Sequence, residues 1–384
     1  MEQVRAAVMV GPGQIEIEEF PLPDPESGAV VMRVSLSGIC GTDKHTFRGE
    51  VSQYAGTEHA REISYPVICG HENVGIVASV GGSVLDSAGR PVRVGDRIVP
   101  GANIACGRCY FCRNGFRYYL CERLEDYGNS LSCARAPHLF GGWADYMYLL
   151  PGTRIFTVPD DVPDDVAVLT EVMAVTHGLD SAASTLRAAG GPGFAQSVTV
   201  IGVGPLGLCH LIKARVLGAS ELIAIDRLPG RLGFAAAFGA TLTIDAGTST
   251  FEERRQAVFD QTGGRGADVV VDCTGVSATF PEALRLVRPG GVVVEAGTFV
   301  DVGTVNVNPA ADLCTRDVTV IGVGGERAED YPASLAMMSA HAGRIPFDRV
   351  VTHRCRIEDA AGAIELSQKP EAMKVVIDPG LEAG

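Results

Sequence analysis

Four residues of this chain stand out as able to hold a metal while leaving one position open: Cys40, His71, Glu72 and Glu171. Thiolate and imidazole are ordinary zinc ligands, and a catalytic zinc keeps three protein ligands with the fourth position free for water or substrate. Cys40 opens the run Cys40-Gly-Thr-Asp-Lys-His45, and His71 stands in Gly70-His71-Glu72. Glu72 and Glu171 are both candidates for the third ligand. Each residue alone has a plainer reading. A single histidine is more often a hydrogen-bonded core or surface group, and a glutamate such as Glu171 is also favoured in the first turn of a helix.

A second set is denser. Cys106, Cys109, Cys112 and Cys121 place four thiols within sixteen residues. That spacing suits a closed tetrahedral zinc site, which holds a lobe together and offers substrate no position. An iron–sulfur cluster is the competing chemistry, but the usual ferredoxin run has proline after its last cysteine, whereas Glu122 follows Cys121 here. Cys133 is a spare cysteine and reads as core.

The third pattern is Gly202-Val-Gly204-Pro205-Leu206-Gly207. It follows an apolar strand-like run and opens a helical one. The first glycine permits a tight turn, the second a close backbone approach to a pyrophosphate, and the third close packing of helix on strand. Asp226 lies nineteen residues after Gly207, at the end of the next apolar run. There a carboxylate can accept the ribose hydroxyls of NAD and repel the 2'-phosphate of NADP. Arg227 beside it can pair with a phosphate, so NADP stays as the alternative.

These groups need elements to position them. Residues 1–150 read as short β-strands, such as 30–35 and 97–99, separated by glycine and proline, with no long helical pattern. Residues 51–66 read as a polar surface loop, and with 127–140 they are expected to shape the substrate pocket. From about 178 the texture changes. Apolar runs at 198–201, 221–226, 268–272 and 291–295 alternate with helical segments such as 206–217 and 231–238. Continuous apolar strands separated by helices predict a parallel sheet covered on both faces. Runs at 350–353 and 374–377 read as strands returning to the first domain. The predicted division is 1–177 with 323–384, and 178–322.

Composition bounds the partners. The chain has 384 residues, 46% hydrophobic and 20% charged, with a formal charge of −14. This is the profile of a globular protein that needs no disulfide framework. The negative charge argues against nucleic acid or an anionic membrane as partner. No apolar run is long enough to span a bilayer, and the first ten residues carry no apolar signal-peptide core. The expectation is a cytoplasmic protein whose eleven cysteines are metal ligands or buried thiols.

Taken together, Gly38-Ile-Cys-Gly-Thr-Asp43, Gly70-His-Glu72, Gly95-Asp-Arg97, the four-cysteine set, Gly141-Gly-Trp-Ala-Asp145 and the glycine loop carry a resemblance. Over nearly its whole length the chain resembles the zinc-containing medium-chain dehydrogenase/reductase superfamily. Glu171-Val-Met and Val351-Thr-His-Arg354 look most like its sorbitol and threonine dehydrogenase branch. Liver-type alcohol dehydrogenases have a cysteine where Glu171 falls. One departure is the gap before Cys121, which is one residue longer than the family usually has. The zinc is expected to remain, with a bulge before Cys121.

The resemblance implies an α/β protein with a GroES-like β-rich catalytic domain and a Rossmann domain built on a doubly wound parallel sheet. It implies a zinc-dependent oxidoreductase that passes a hydride between a secondary alcohol or its ketone and NAD(H). A polyol, amino alcohol, steroid or cyclic terpenol would each be compatible. Two zinc ions per chain and a homodimer or homotetramer are also implied. Residue by residue, Thr42 would hydrogen-bond the substrate oxygen and His45 would carry its proton toward solvent. Asp43 would orient His71. The backbone at Thr274, Thr298 and Val323 would border the nicotinamide, and Arg231 the adenosine ribose. Three rivals remain. One is an NADP-linked ketone or aldehyde reductase of the same superfamily. Another is a zinc-free reductase of activated double bonds, and the last is a non-catalytic dinucleotide-binding protein. The presence of Cys40, Thr42 and His71 counts against the last two.

Overall fold

The strand Glu221–Asp226 is apolar for four of its six residues and ends on a carboxylate, and this texture sets the architecture of the second half of the chain. The computed structural model describes residues 2–50, 52–53, 61–190 and 197–382. They divide into two units: Met1–Ala174 with Arg327–Gly384, and Val175–Glu326. The sequence had put those junctions at 177 and 322.

In the unit 175–326, six strands form one parallel sheet. They are Ser197–Ile201, Glu221–Asp226, Leu242–Asp245, Ala267–Asp272, Val287–Glu295 and Thr319–Gly322. Numbered along this unit, their order is 3-2-1-4-5-6, the doubly wound order whose ligand crevice lies where the strand order reverses. The reversal falls between Ser197–Ile201 and Ala267–Asp272, which pair in parallel from Val198↔Val269 to Ile201↔Asp272. Val198, Val200, Val270 and Val271 are fully buried, as strands covered on both faces require. The helix Pro205–Val216 follows the first strand, with Gly204 at its N-cap and Pro205 at the first position, where proline loses no hydrogen bond.

In the other unit, Val30–Gly38 and Glu72–Val80 pair antiparallel with Gly38 opposite Glu72. They belong to a seven-stranded sheet that also takes in Lys374–Ile377 and Val351–Cys355 from the end of the chain. Val376 lies opposite Gly38 and Ile377 opposite Ser37. The segments expected to return from beyond 322 thus join this sheet, Lys374–Ile377 beside Val30–Gly38 and Val351–Cys355 at the edge beyond it. A separate hairpin, Gln3–Gly11 with Gln14–Pro21, carries Val67–Ile68 along its outer edge. Trp143, Phe140, Met147 and Met9 are fully buried within this core.

One element escaped the sequence. Gly41–Arg48 is a helix that starts directly after Cys40. Its eight residues, Gly-Thr-Asp-Lys-His-Thr-Phe-Arg, include poor helix formers, so the turn is held by its cap rather than by propensity. Of the stretch 51–66, expected from the sequence to shape the pocket, residues 51 and 54–60 lie outside the described residues. No helix among the described residues is long and apolar enough to cross a membrane.

Candidate metal centres and dinucleotide loop

The register Gly38↔Glu72 brings two distant cysteine and histidine segments together. Cys40 lies two residues beyond the end of one strand, and His71 one residue before the start of its partner. Asp43 ties the two segments. Its Oδ2 accepts from the Cys40 amide at 2.7 Å and its Oδ1 from the Gly70 amide at 3.3 Å. This corrects the expectation that Asp43 orients the His71 ring. Both carboxylate oxygens hold backbone, and His71 Nδ1 has no hydrogen-bond partner among the described residues. Gly70 has φ of +93°, a conformation that favours glycine. A Cβ there would stand 2.3 Å from Ser37 Oγ and 2.6 Å from Trp143 Cδ1. Gly142 further fixes this turn by donating to the Gly70 carbonyl at 2.9 Å.

Cys40, His71 and Glu72 each place one ligand atom within 4.8 Å of the others. Glu171 does not join this set. It sits at the start of the helix Thr170–Ala174, near enough to raise the His71 pKa electrostatically. Burial works against the imidazolium, but Cys40, Asp43 and Glu171 together carry the His71 pKa well above its usual value. The three gathered groups fit a divalent cation on an independent ground. Glu72 Oε1 is buried with no hydrogen-bond partner among the described residues. A buried carboxylate oxygen in that state costs free energy unless a cation or donor meets it.

Lys374 is the residue the sequence did not single out. It is 1% exposed, and its ammonium forms an ion pair with Glu72 Oε2. It also donates to the Ile39 carbonyl at 3.1 Å. Burial lowers its pKa, but Glu72 and Cys40 outweigh that and hold it charged. A Cβ on Gly38 would lie 2.0 Å from Glu72 Oε2 and 2.8 Å from Lys374 Cε, so the ion pair occupies the space a larger residue would take. A lysine heading the apolar run Lys374-Val-Val-Ile is the signal that could have found it.

Thr42 and His45 lie on the helix after Cys40. Thr42 Oγ1 is 3.8 Å from Cys40 Sγ. His45 Nδ1 is 2.5 Å from Glu50 Oε2, and its side chain is 26% exposed. Arg48 and His45 together hold the Glu50 carboxyl down at about 2. His45 is therefore placed with one side to solvent and an ionised partner. The segment 127–140 reaches the same region: a Cβ on Gly128 would stand 3.0 Å from the Gly70 amide nitrogen.

The second metal set is local. The four sulfurs of Cys106, Cys109, Cys112 and Cys121 lie within 4.8 Å of one another. Cys109 Sγ is 3.4 Å from Cys112 Sγ and 3.9 Å from Cys121 Sγ. A tetrahedral zinc with four thiolates has sulfurs about 3.8 Å apart. Amides of Cys106 and Arg123 donate to Cys121 Sγ at 3.2 and 3.3 Å. Amide donors, that of Cys112 first, lower the Cys109 thiol to about 6, while burial raises Cys121. The longer gap before Cys121 is taken up by a single helical turn, Tyr118–Leu120, in place of a simple bulge.

In the unit 175–326, Gly202 has φ of +80° and donates to the Ile225 carbonyl at 2.7 Å. A Cβ on Gly207 would stand 1.9 Å from the Gly202 carbonyl oxygen; only glycine lets this helix come so close. Asp226 is buried at the end of its strand. It accepts from Val203 N at 2.8 Å and Leu228 N at 2.9 Å, with Arg231 at 3.9 Å. Arg227 is exposed beside it. A Cβ on Gly204 would be 3.4 Å from Arg231, so Arg231 borders the loop. Thr274 donates its amide to Asp272 at 3.0 Å, and Thr298 its hydroxyl to Glu295 at 2.9 Å. Val323 N donates to the Glu295 carbonyl at 2.9 Å. Asp272 and Glu295 are register partners at this edge, a carboxyl pair the sequence did not reveal. Burial, then Asp272, pushes Glu295 up to about 7.

Comparison with known proteins agrees with this geometry. The model of the alcohol dehydrogenase GroES-like domain matches residues 26–160, and that of the zinc-binding dehydrogenase domain matches 205–340. The chain is 33% identical to 5-exo-hydroxycamphor dehydrogenase of Pseudomonas putida, over 99% of its own length and 100% of that protein. It is 29% identical to erythritol/L-threitol dehydrogenase of Mycolicibacterium smegmatis, over 98% of each chain. Its fold is similar to that of an alcohol dehydrogenase from Thermotoga maritima, with a TM-score of 0.89, 31% identity, and coverage of 98% of this chain and 100% of that one. The chain belongs to the zinc-containing alcohol dehydrogenase family of the medium-chain dehydrogenase/reductase superfamily, on its sorbitol dehydrogenase-like side. It is an oxidoreductase of alcohols and ketones that uses zinc and a nicotinamide cofactor.

Proposed function

We propose that this chain oxidises a secondary alcohol with NAD, or reduces the matching ketone with NADH, and that a ring alcohol is the first substrate to try. The relative named for hydroxycamphor matches this chain over 99% of its length. The observation that carries the site assignment is the buried, unsatisfied Glu72 Oε1 beside Cys40 and His71. Those three residues would hold the catalytic zinc. Bound there, zinc would supply Lewis acidity that lowers the pKa of a hydroxyl. The four-cysteine lobe would hold a second, structural zinc.

The chain's own groups then handle the proton. The Thr42 hydroxyl, next to Cys40 Sγ, would take the proton from the substrate hydroxyl while releasing its own toward His45 by way of the cofactor ribose. His45, half-buried and paired with Glu50, passes it to solvent; an imidazole suits this near neutral pH. A nicotinamide supplies the hydride chemistry when bound. Gly202, Gly204, Pro205, Leu206 and Gly207 form the pyrophosphate cradle. Asp226 takes the ribose hydroxyls, with Arg227 and Arg231 beside it. Backbone at Thr274, Thr298 and Val323 borders the nicotinamide. Glu171 shapes the field around His71 from its helix start. We further place the protein in the cytoplasm, where thiolate sites stay reduced, as a homodimer or homotetramer. NAD-linked turnover of a panel of cyclic alcohols, polyols and amino alcohols tests the reading, together with metal analysis. Activity on a ring alcohol at two zinc ions per chain is expected. Turnover that survives removal of all zinc would overturn it.

A further inference from the structure

Five arginines gather around one cleft in the unit 175–326: Arg255, Arg265, Arg285, Arg288 and Arg316. The cleft measures about 650 Å³, a size suited to a small ligand. It opens at the N-terminal edge of the parallel strands. Arg265 comes just before Ala267–Asp272, Arg288 is the second residue of Val287–Glu295, and Arg316 precedes Thr319–Gly322. The glycine loop and Asp226 lie at the opposite, C-terminal ends of their strands. The cleft is therefore separate from the dinucleotide site.

Its charges do not balance. Asp312 is the one carboxylate in the lining, and it meets Arg285 at 3.5 Å. Arg288 is matched by Asp268 at 2.6 Å. Arg255 and Arg265 have no carboxylate partner among the described residues. The Arg255 guanidinium instead lies over its own Phe259 ring, 4.3 Å from the centroid. Arg316 donates to the carbonyls of Leu284 and Val287. Burial, and then repulsion from Arg255, lowers its pKa despite the nearby Asp312. Like charges gathered in this way cost free energy unless an anion neutralises them. On a chain of net charge −14, the group is a local exception that calls for a ligand of its own.

We propose that this cleft binds a polyphosphate group, carried by a nucleotide or by an inorganic chain, with Arg255 and Arg265 as its principal contacts. Guanidinium groups grip phosphate oxygens through paired N–H bonds. The Phe259 ring packs against the Arg255 guanidinium and leaves its N–H edge free for such a pair. Arg285 and Arg316 complete the cationic lining beside them.

The test is calorimetric titration of inorganic triphosphate into the full-length holoenzyme saturated with NADH, so that the glycine loop is already filled. We expect one triphosphate per chain, bound more weakly as salt rises. The double variant Arg255→Gln/Arg265→Gln should weaken it by about tenfold or more, the scale of one or two lost charge-assisted bonds. NADH affinity and melting temperature should stay at wild-type values. ATP titrated alongside distinguishes the two sources: tighter binding than triphosphate assigns a nucleotide, equal binding the phosphate chain alone. Absence of saturable binding would overturn the proposal, as would equal binding by the double variant. Salt-dependent association of the protein with itself or with an acidic protein, without triphosphate binding, would overturn it too.

Discussion

The ammonium of Lys374 pairs with the carboxylate of Glu72 and hydrogen-bonds the carbonyl of Ile39. One lysine thereby touches the residue after His71 and the residue before Cys40. Removing one partner of a buried pair leaves a charge unmatched, typically at about 3–5 kcal/mol. Lys374→Met should therefore destabilise the zinc-free protein by roughly that amount. Lys374→Met/Glu72→Leu, which removes both charges, should recover much of it. Chemical denaturation of the four proteins of this cycle checks the coupling. A single-variant loss below about 1 kcal/mol, the scale of a surface pair, would mean that water reaches the site.

Cys109→Ser should act on stability before chemistry. The closed set contributes folding free energy and has no open position. The variant is expected to bind one zinc fewer and melt earlier, while any protein still folded keeps its kcat. Metal analysis alongside a thermal melt would show it. An unchanged melt with lost activity would make the lobe catalytic.

Cofactor choice rests on Asp226, whose oxygens lie at the mouth of the glycine loop. Wild-type enzyme should prefer NAD over NADP by at least about tenfold in kcat/KM, or ~1.4 kcal/mol. Asp226→Ser should shift the ratio toward NADP, because Arg227 and Arg231 remain. Some general loss is expected too, since Val203 N and Leu228 N lose their acceptors. Steady-state kinetics with both cofactors would settle the matter; a wild-type preference for NADP would reverse the assignment.

Glu295 offers a pH test. Its pKa rises from 4.5 to about 7 in the folded protein, first through burial and then through Asp272. A raised folded pKa means the native state holds the proton more tightly than the unfolded chain. The associated stability is complete below pH 4.5 and is lost as pH climbs through about 7. Glu295→Gln, which is neutral throughout, should gain on wild type at pH 8 and not at pH 5. Melting curves across that range decide it, and parallel curves for the two proteins would refute the shift.

How much of this was legible depended on how far apart the partners lie in the chain. The four cysteines fall within sixteen residues, so spacing alone suggested one set. The runs 221–226 and 374–377 carry continuous apolar stretches and end where the strands Glu221–Asp226 and Lys374–Ile377 end. The choice between Glu72 and Glu171 was closed to sequence. The register Gly38↔Glu72, which no local pattern encodes, brings Glu72 within reach of Cys40 and His71. The helix Gly41–Arg48 was hidden because the carboxylate of Asp43, not propensity, anchors its start. Lys374 was hidden because its partners stand more than three hundred residues earlier.

That last separation also orders events during synthesis. Chains emerge from the ribosome N-terminus first and fold domain by domain. The cysteine lobe needs only residues 106–121, so it can capture its metal while most of the polypeptide is still unmade. The Cys40–His71–Glu72 centre must wait for the strand Lys374–Ile377 to slot in beside Gly38. Until then the Glu72 carboxylate has no counter-charge from Lys374. A ribosome stalled before that strand would release a protein loaded at the lobe and unfinished at the centre.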